Sequence, residues 1–524
     1  MIGLFCVGAI FLLLYYILFL NHNYFVKRGV PHHKAVPILG NAAPYVLQKR
    51  HISEVLQELC DAFPKHGFFG YFDFWCPVYM VKDVELVKKI CIKDFNHFVN
   101  HRTQFSAEHD PLFANSLFSM NDSRWRNMRS VLSPAFTGSK MRSMLELMIN
   151  YCEQGVESIA RMVHENAMDL EMKDLFTKFS NDIIASCAFG IEVNSLEDQE
   201  NQFYTNACAL TRMNGIQGLK FLGYISIPKA MKFLKIAIIN TKMTNFYRDL
   251  IKRVMKLRET SKIIRPDMIN LLMEAKNHKI VATDDSEVND FSGITNGDSP
   301  KNISKMIAWN DDDLAAQCTV FLFAGFETVA TLTSFMAHEL AINSTVQAKL
   351  RAEVDATGAK LNGRRPTYEI IQEMTYLDMV VTETLRKWPP VPFLDRRCTK
   401  PYLLEDLDGS SVQLQPGDSI WIPTTAIMRN PKYFPQPEKF DPERFSVENR
   451  GTIDPNAFIS FGVGPRNCIG SRFALMETKT TFFYLLSRFT IESGPKTQHP
   501  LEIKTSSITM QAKNGFWVRF RKRS

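Results

Sequence analysis

The chain has 524 residues, 45% of them hydrophobic and 22% charged, a composition that can bury a large core. Its 62 Lys and Arg against 55 Asp and Glu leave a net charge of +7, too small on this length to mark a nucleic-acid binder. With 25 Gly, 25 Pro, 39 Phe and no repeat, collagen, coiled coil and bulk disorder are excluded; ten scattered cysteines without a CxxC pair argue against a zinc ribbon or a disulfide scaffold.

Ile2 to Leu20 is uncharged, and as a helix of about 28 Å it can cross the hydrocarbon of a bilayer. No Lys or Arg precedes the run, and bulky Leu18, Phe19 and Leu20 end it, which favours a retained transmembrane anchor (residues 1–20) over a cleaved signal peptide. Lys27, Arg28 and Lys34 follow, so the positive-inside rule predicts a cytoplasmic body, with the sequons at Asn121, Asn302 and Asn343 never glycosylated. Residues 21–40, with Gly29-Val30-Pro31 and Pro37-Ile38-Leu39-Gly40, read as a short turn-rich linker.

Phe105, Phe113 and Phe118 lie in a Phe-rich loop ahead of Trp125-x-x-x-Arg129, whose i,i+4 spacing puts an indole N–H and a guanidinium on one helix face, where both can donate to an anion. Ile216 to Ile239 is apolar, but Lys220, Lys229, Lys232, Lys235 and Pro228 interrupt it, so an amphipathic surface segment is predicted rather than a second span. Helical periodicity dominates from about 140 to 390. A polar connection without apolar period runs from Lys279 to Lys305. Short β-like runs occur at Phe68 to Phe72, Val78 to Val81, Ser419 to Ile422 and Trp517 to Phe520, so the class is mostly α with a small β component.

Asn310 followed by Asp311, Asp312 and Asp313 is a helix start, with an N-cap residue and acids at the positive end of the dipole. On that helix Phe321, Ala324, Gly325 and Thr328 share a stripe, and Glu327 precedes the threonine. The bland alternative is a buried helix with a packing glycine. Glu383 and Arg386, at i,i+3, can pair, as many solvated surface pairs do. Phe461 to Gly470 (FGVGPRNCIG) is the most informative stretch: two glycines and a proline make a tight loop, and Cys468 stands just before an apolar helical run. A thiolate there gains from the helix dipole and free N–H groups, and Arg466 offers a guanidinium to a carboxylate. A lone cysteine is ordinarily a small core residue. A dinucleotide fingerprint fails, since Asn467 stands where the third glycine belongs.

FGVGPRNCIG matches the haem-binding signature of the cytochrome P-450 family, Phe-x-x-Gly-x-Arg-x-Cys-x-Gly, at every fixed position, and the chain resembles that family from Pro31 to its end. Ala324-Gly325-Phe326-Glu327-Thr328, the ExxR of Glu383 and Arg386, and Phe440-Asp441-Pro442-Glu443-Arg444-Phe445 follow the family's order. The resemblance implies one catalytic domain over residues 41–524 with the cytochrome P-450 fold. It implies haem b (iron protoporphyrin IX) ligated by Cys468 within Phe461 to Gly470, with Trp125, Arg129, Arg466 and Arg396 (adjacent to Arg397) as propionate partners. Glu383, Arg386 and Arg444 would form a bracing network. Thr328 would orient dioxygen and Glu327 supply protons, although Val329 departs from the Thr or Ser often found next.

Substrate contacts implied by the same resemblance are Phe105, Phe113, Phe118, Phe321, Phe323, Ala324, Val391 to Leu394 and Ile508. The implied activity is a haem-thiolate monooxygenase drawing electrons from NADPH–cytochrome reductase, with cytochrome b5 as a second donor, at the endoplasmic reticulum membrane. RGVPH, AGFET and the cysteine loop resemble insect members that handle xenobiotics such as plant toxins and insecticides. Endogenous hormone or pheromone oxidation, and reductase-independent rearrangement of peroxides or dehydration of a substrate, are the alternatives.

Overall fold

The computed structural model describes residue 8 and residues 23–102, 105–163, 167–211, 215–226, 228–276 and 309–523. Apart from residue 8, the predicted anchor at Ile2 to Leu20 with Cys6 lies outside the described residues, as does the polar connection from Lys279 to Lys305 with Asn302.

Short strands frame a helical body. They are β1 (Phe68–Asp73), β2 (Cys76–Val81), β3 (Met168–Glu171), β4 (Leu394–Arg397), β5 (Tyr402–Glu405), β6 (Ser411–Leu414), β7 (Ser419–Ile422), β8 (Phe489–Glu492) and β9 (Trp517–Lys522). β1 turns back into β2, from Phe68 opposite Val81 to Asp73 opposite Cys76. β2 pairs parallel with β7, and β7 antiparallel with β4, giving the order β1-β2-β7-β4. β3, β9 and β8 form a second sheet, and β5 and β6 a hairpin. The four runs read as β-like in the sequence fall within β1, β2, β7 and β9. The remaining strands span four residues each, too short for an alternating pattern to emerge, and β4 (LDRR) is polar. Ahead of β1, residues 23–40 do not stand away from the body: Phe25 is fully buried, and the Gly70 N–H donates to the Pro31 carbonyl at 2.7 Å.

The helices that build the site are α1 (Asp122–Leu132), α2 (Gly138–Met162), α3 (Met172–Ile184), α4 (Gly215–Ser226), α5 (Pro228–Phe233), α6 (Asp311–Ile342), α7 (Thr375–Lys387) and α8 (Ser471–Arg488). α6 starts where the sequence predicts. Asn310 Oδ1 accepts the Asp313 N–H at 2.8 Å, and the Asp313 carboxylate accepts the Asn310 N–H at 3.3 Å, a reciprocal cap. Its 32 residues give about 48 Å of helix. Among the described residues α6 is long and apolar enough to cross a bilayer, but most of that stretch is buried within the protein, so it is a core helix.

Two apolar clusters meet along α6. Leu314, Cys318, Leu322 and Phe326 pack with Tyr224 and Met231, whereas Ala330, Leu332, Phe335 and Leu340 pack with Tyr79, Ile420 and Phe520. α8 crosses the same seam, with Phe473 and Met476 on one side and Phe482, Leu485 and Leu486 on the other. Residues 324–328 therefore sit where the two cores join. The 216–239 segment breaks at Pro228 into α4 and α5; Tyr224 and Met231 are buried, while Phe233 is 85% exposed, an amphipathic arrangement.

Candidate active site around Cys468

The cysteine loop closes on itself. Gly462 N–H donates to the Ile459 carbonyl at 2.9 Å, Asn467 N–H to Gly464 at 2.9 Å, and Cys468 N–H to Phe461 at 2.8 Å. Phe461 anchors the loop's start against the apolar core. Gly464 has φ +75°, and a Cβ there would lie 1.9 Å from the Cys91 carbonyl oxygen, so no other residue fits without moving the backbone. Surrounding protein pushes the Cys468 thiol pKa up, opposed by the Gly470 N–H and the Arg129 charge. The Cys468 residue nevertheless keeps an exposed surface.

Three arginines crowd this loop. Arg129, from α1, clamps it by donating to the Asn467 backbone oxygen at 3.0 Å and to its Oδ1 at 2.7 Å. Arg466 donates to the carbonyls of Val99 at 2.8 Å and Met120 at 2.5 Å, with its guanidinium carbon 4.3 Å from the buried Trp125 ring centroid. Arg396, on β4, is 2% exposed and donates to the Asp395 carbonyl at 2.7 Å; its buried Nε has no partner. Burial, followed by the Arg396 and Arg129 charges, lowers the Arg466 pKa to about 9, with Asp395 opposing. Successive strand residues point to opposite faces, so Arg397 lies on the other side of β4 and Arg396 is the member of this charge cluster.

Asp395 itself accepts from His101 Nδ1 at 2.8 Å and from the Arg102 N–H at 2.6 Å. Burial would raise its pKa, but the His101 and Arg102 contacts and the Arg396 charge hold it below the usual carboxylate range. Asn467 is a wildcard position inside the loop motif, and His101 and Asp395 carry no spacing signal. The sequence reading singled out none of the three.

Glu383 and Arg386 on α7 are fully buried and bonded twice, Nε to Oε2 at 2.7 Å and Nη2 to Oε1 at 2.9 Å. Arg444 Nε lies 3.4 Å from Glu383 Oε1, and the Asp441 N–H donates to the same oxygen at 2.9 Å. The two guanidinium groups also donate to the carbonyls of Met428, Pro437 and Gln436 at 2.7–3.0 Å. Ser460, just before the cysteine loop, donates to the Leu385 carbonyl at 3.2 Å, which ties this network to the loop.

On α6, Ala324 is the single exposed residue of the whole helix. Thr328 Oγ1 donates to the Ala324 carbonyl at 2.6 Å. Gly325 has a packing role: a Cβ there would come within 2.6 Å of Ile184 on α3. The Glu327 carboxylate is held at Oε1 by Lys173 Nζ (3.0 Å) and Gln511 Nε2 (2.8 Å), partners the sequence reading did not single out. Phe105 and Phe113 meet edge-on at 5.0 Å, Phe113 meets Phe323 at 5.3 Å, and Phe105 meets Tyr224 at 5.8 Å, an aromatic wall joining the loop, α4 and α6. Phe321 contacts Phe136 at 5.5 Å. Phe118 stands apart from the wall, exposed and stacked on His101; Val391 is also exposed, and Leu394 and Ile508 are half-buried.

A cysteine at the mouth of a helix, in a loop held by Arg129 and Arg466 with Arg396 nearby, suits an anionic, metal-containing prosthetic group. The family model described as Cytochrome P450 matches residues 30–519. The chain is 44% identical to Probable cytochrome P450 9f2 of Drosophila melanogaster over 96% of both proteins. It is 42% identical to Cytochrome P450 9e2 of Blattella germanica, over 99% of this chain and 98% of that one, and 34% identical to Cytochrome P450 6k1 of the same organism, over 95% and 93%. The chain belongs to the cytochrome P450 family and is an oxidoreductase of the monooxygenase type. The family implies a haem cofactor, a redox partner, dioxygen and a lipophilic substrate. The residues present fit haem. The buried Nε of Arg396 lacks an acceptor, burial and neighbouring guanidinium charges lower the Arg466 pKa, and Cys468 and Ala324 offer accessible surface.

Proposed function

We propose that Cys468, as thiolate, is the proximal ligand of haem b, and that the enzyme hydroxylates lipophilic xenobiotics such as plant toxins or insecticides. The observation that carries this reading is the crowding of Arg129, Arg396 and Arg466 around the Cys468 loop, which calls for a carboxylate-bearing partner. Those arginines, with the Trp125 indole N–H, hold the propionates. Haem, when bound there, supplies reductive activation of dioxygen.

The chain's own residues orient and protect that chemistry. The Gly470 N–H and the Arg129 charge favour thiolate over thiol at Cys468, against burial. Glu383, Arg386 and Arg444 brace the loop through Ser460. The Thr328 proton is engaged with the Ala324 carbonyl, so its oxygen lone pairs are free to accept, and a rotation of the O–H makes it a donor. Glu327 carries protons inward from water. The aromatic wall of Phe105, Phe113 and Phe323, with Phe321, Ala324, Val391 and Ile508, receives an apolar substrate. The net reaction is RH + O2 + NADPH + H+ → ROH + H2O + NADP+. The electron pair arrives through NADPH–cytochrome reductase, with cytochrome b5 as a second donor, at the endoplasmic reticulum membrane to which residues 1–20 anchor the chain.

Reconstitution with the reductase and a panel of plant toxins, insecticides and hormones tests this. NADPH-dependent hydroxylation of the toxins is expected; product formed with peroxide but never with reductase would sink the monooxygenase cycle, and turnover confined to hormones would sink the xenobiotic role. Cys468→Ser is expected to lose the thiolate-type band of the reduced carbonyl difference spectrum. A retained band defeats the ligand assignment.

A further inference from the structure

Side chains from two elements distant in sequence converge on one carboxylate oxygen of α6. Lys173, at the start of α3, gives its ammonium to Glu327 Oε1 (3.0 Å), to the Glu327 backbone oxygen (3.1 Å) and to Thr331 Oγ1 (2.8 Å). Two of its protons are given to hydrogen bonds and its charge faces the carboxylate, all within one turn of α6. From the other direction, Gln511 Nε2 donates to the same Oε1 at 2.8 Å. The second carboxylate oxygen, Oε2, takes no hydrogen bond among the described residues and is not sealed from water. The Lys173 and Glu327 side chains are 20% and 16% exposed, so their attraction is less screened than at an open surface.

Gln511 does not come from a helix. It lies on the returning arm of the C-terminal hairpin, where the Lys504 N–H donates to its carbonyl at 2.7 Å and Ile503 bridges Ala512. Its side-chain amide also reaches Thr509 Oγ1 at 3.4 Å, and Thr509 meets Ser507 Oγ at 3.2 Å. The tip between those arms lies against buried His51 and carries Ile508, which the proposed function places at the substrate. One amide thus links the hairpin tip to the acid that precedes Thr328. A substrate that displaces the tip pulls on Gln511, and Gln511 pulls on Oε1, while Lys173 holds the other side.

We propose that Lys173 and Gln511 are positioning residues for Glu327: they pin Oε1 so that Oε2 carries the proton, and Gln511 makes the carboxylate's position answer to substrate at the hairpin. This rests on the reading of Glu327 as proton carrier. Two protons and two electrons enter with each dioxygen. When proton delivery is mistimed, the same O2 + 2e− + 2H+ leaves as hydrogen peroxide and the substrate is untouched.

The full-length holoenzyme, reconstituted with reductase, is assayed with an alkoxycoumarin probe for product and peroxide per NADPH, in water and in deuterium oxide. Amide hydrogen exchange at 505–512 and 323–331 is followed with and without the probe. Glu327→Gln controls for the underlying reading and is expected to lose coupling. Gln511→Ala is expected to release about threefold more peroxide per NADPH and to abolish the probe's effect on exchange at 323–331. Lys173→Met is expected to change the solvent isotope effect about twofold, and Lys173→Arg to restore it.

The carbonyl difference spectrum certifies folding for each variant, and Gln511→Ala, at a half-buried position of the hairpin arm, decides the matter if Lys173→Met does not assemble. Wild-type coupling and probe-dependent exchange in Gln511→Ala, with coupling lost in Glu327→Gln, overturn the positioning role and leave the proton reading standing. Unchanged coupling in Glu327→Gln overturns both.

Discussion

Burying a guanidinium beside two others costs free energy that an added anion offsets, and burial together with the Arg396 and Arg129 charges lowers the Arg466 pKa to about 9. Arg396→Leu removes the cluster's most deeply buried member. It is expected to speed transfer of haem from the protein to apomyoglobin about tenfold, the equivalent of one charge-assisted hydrogen bond. An unchanged transfer rate would remove Arg396 from the propionate site. At Thr328, replacement by Ala deletes the hydroxyl now bonded to the Ala324 carbonyl, and the expected outcome is more hydrogen peroxide per NADPH at similar substrate affinity. Unchanged coupling would deny the hydroxyl its role.

At this scale the sequence was informative where chemistry is local. Cys468, Arg466 and Gly464 sit within five residues, and Gly464 is required by a positive φ and a close carbonyl. It left Arg396 and Arg397 undecided, because strand alternation separates their faces only once β4 is known to be a strand.

Elements place these residues. α7 presents Glu383 and Arg386 one turn apart, a spacing that any solvated helix can show; what distinguishes this pair is complete burial and the addition of Arg444. Glu383→Gln leaves two guanidinium groups short of a charge, so a loss of about 3–5 kcal/mol is expected, read as poor haem incorporation and a lower urea midpoint. Stability equal to the parent's would mean that the network is not a brace. The start of α6 is held by its reciprocal cap, and Asn310→Ala is expected to cost about 1 kcal/mol in denaturant melts without touching the site. The capped start of α6 and the break at Pro228 were legible because both rest on backbone preferences of one or two residues. The seam of two cores along α6 was not, since its residues are apolar on both sides and differ only in what covers them.

At the scale of the whole molecule, Glu477 is an acid buried without a counter-charge. It lies on α8, with Oε1 accepting from Ser180 at 2.7 Å and Oε2 buried without a partner, and burial pushes its pKa up to about 8. The folded protein therefore holds this proton over a range, from about pH 4.3 to pH 8, in which the unfolded chain releases it, so this group lowers stability as pH rises through that window. Above pH 8 the penalty levels off. Glu477→Gln removes the slope, and its gain in melting temperature over the parent is expected to grow from pH 5 to pH 8, by at most about 1.4 kcal/mol per pH unit. A gain independent of pH would contradict a neutral Glu477 in the fold.

The sequence by itself determined the kind of chemistry, because a loop that demands glycine, a capped helix and an i,i+3 pair are set by the backbone over a few residues. Only the tertiary structure decided which arginines share the site, that Gly325 serves helix packing while Ala324 is exposed, and that Lys173 and Gln511 grip Glu327. Such partners lie 154 and 184 residues from that glutamate along the chain, and contacts across that separation leave no periodic trace to read.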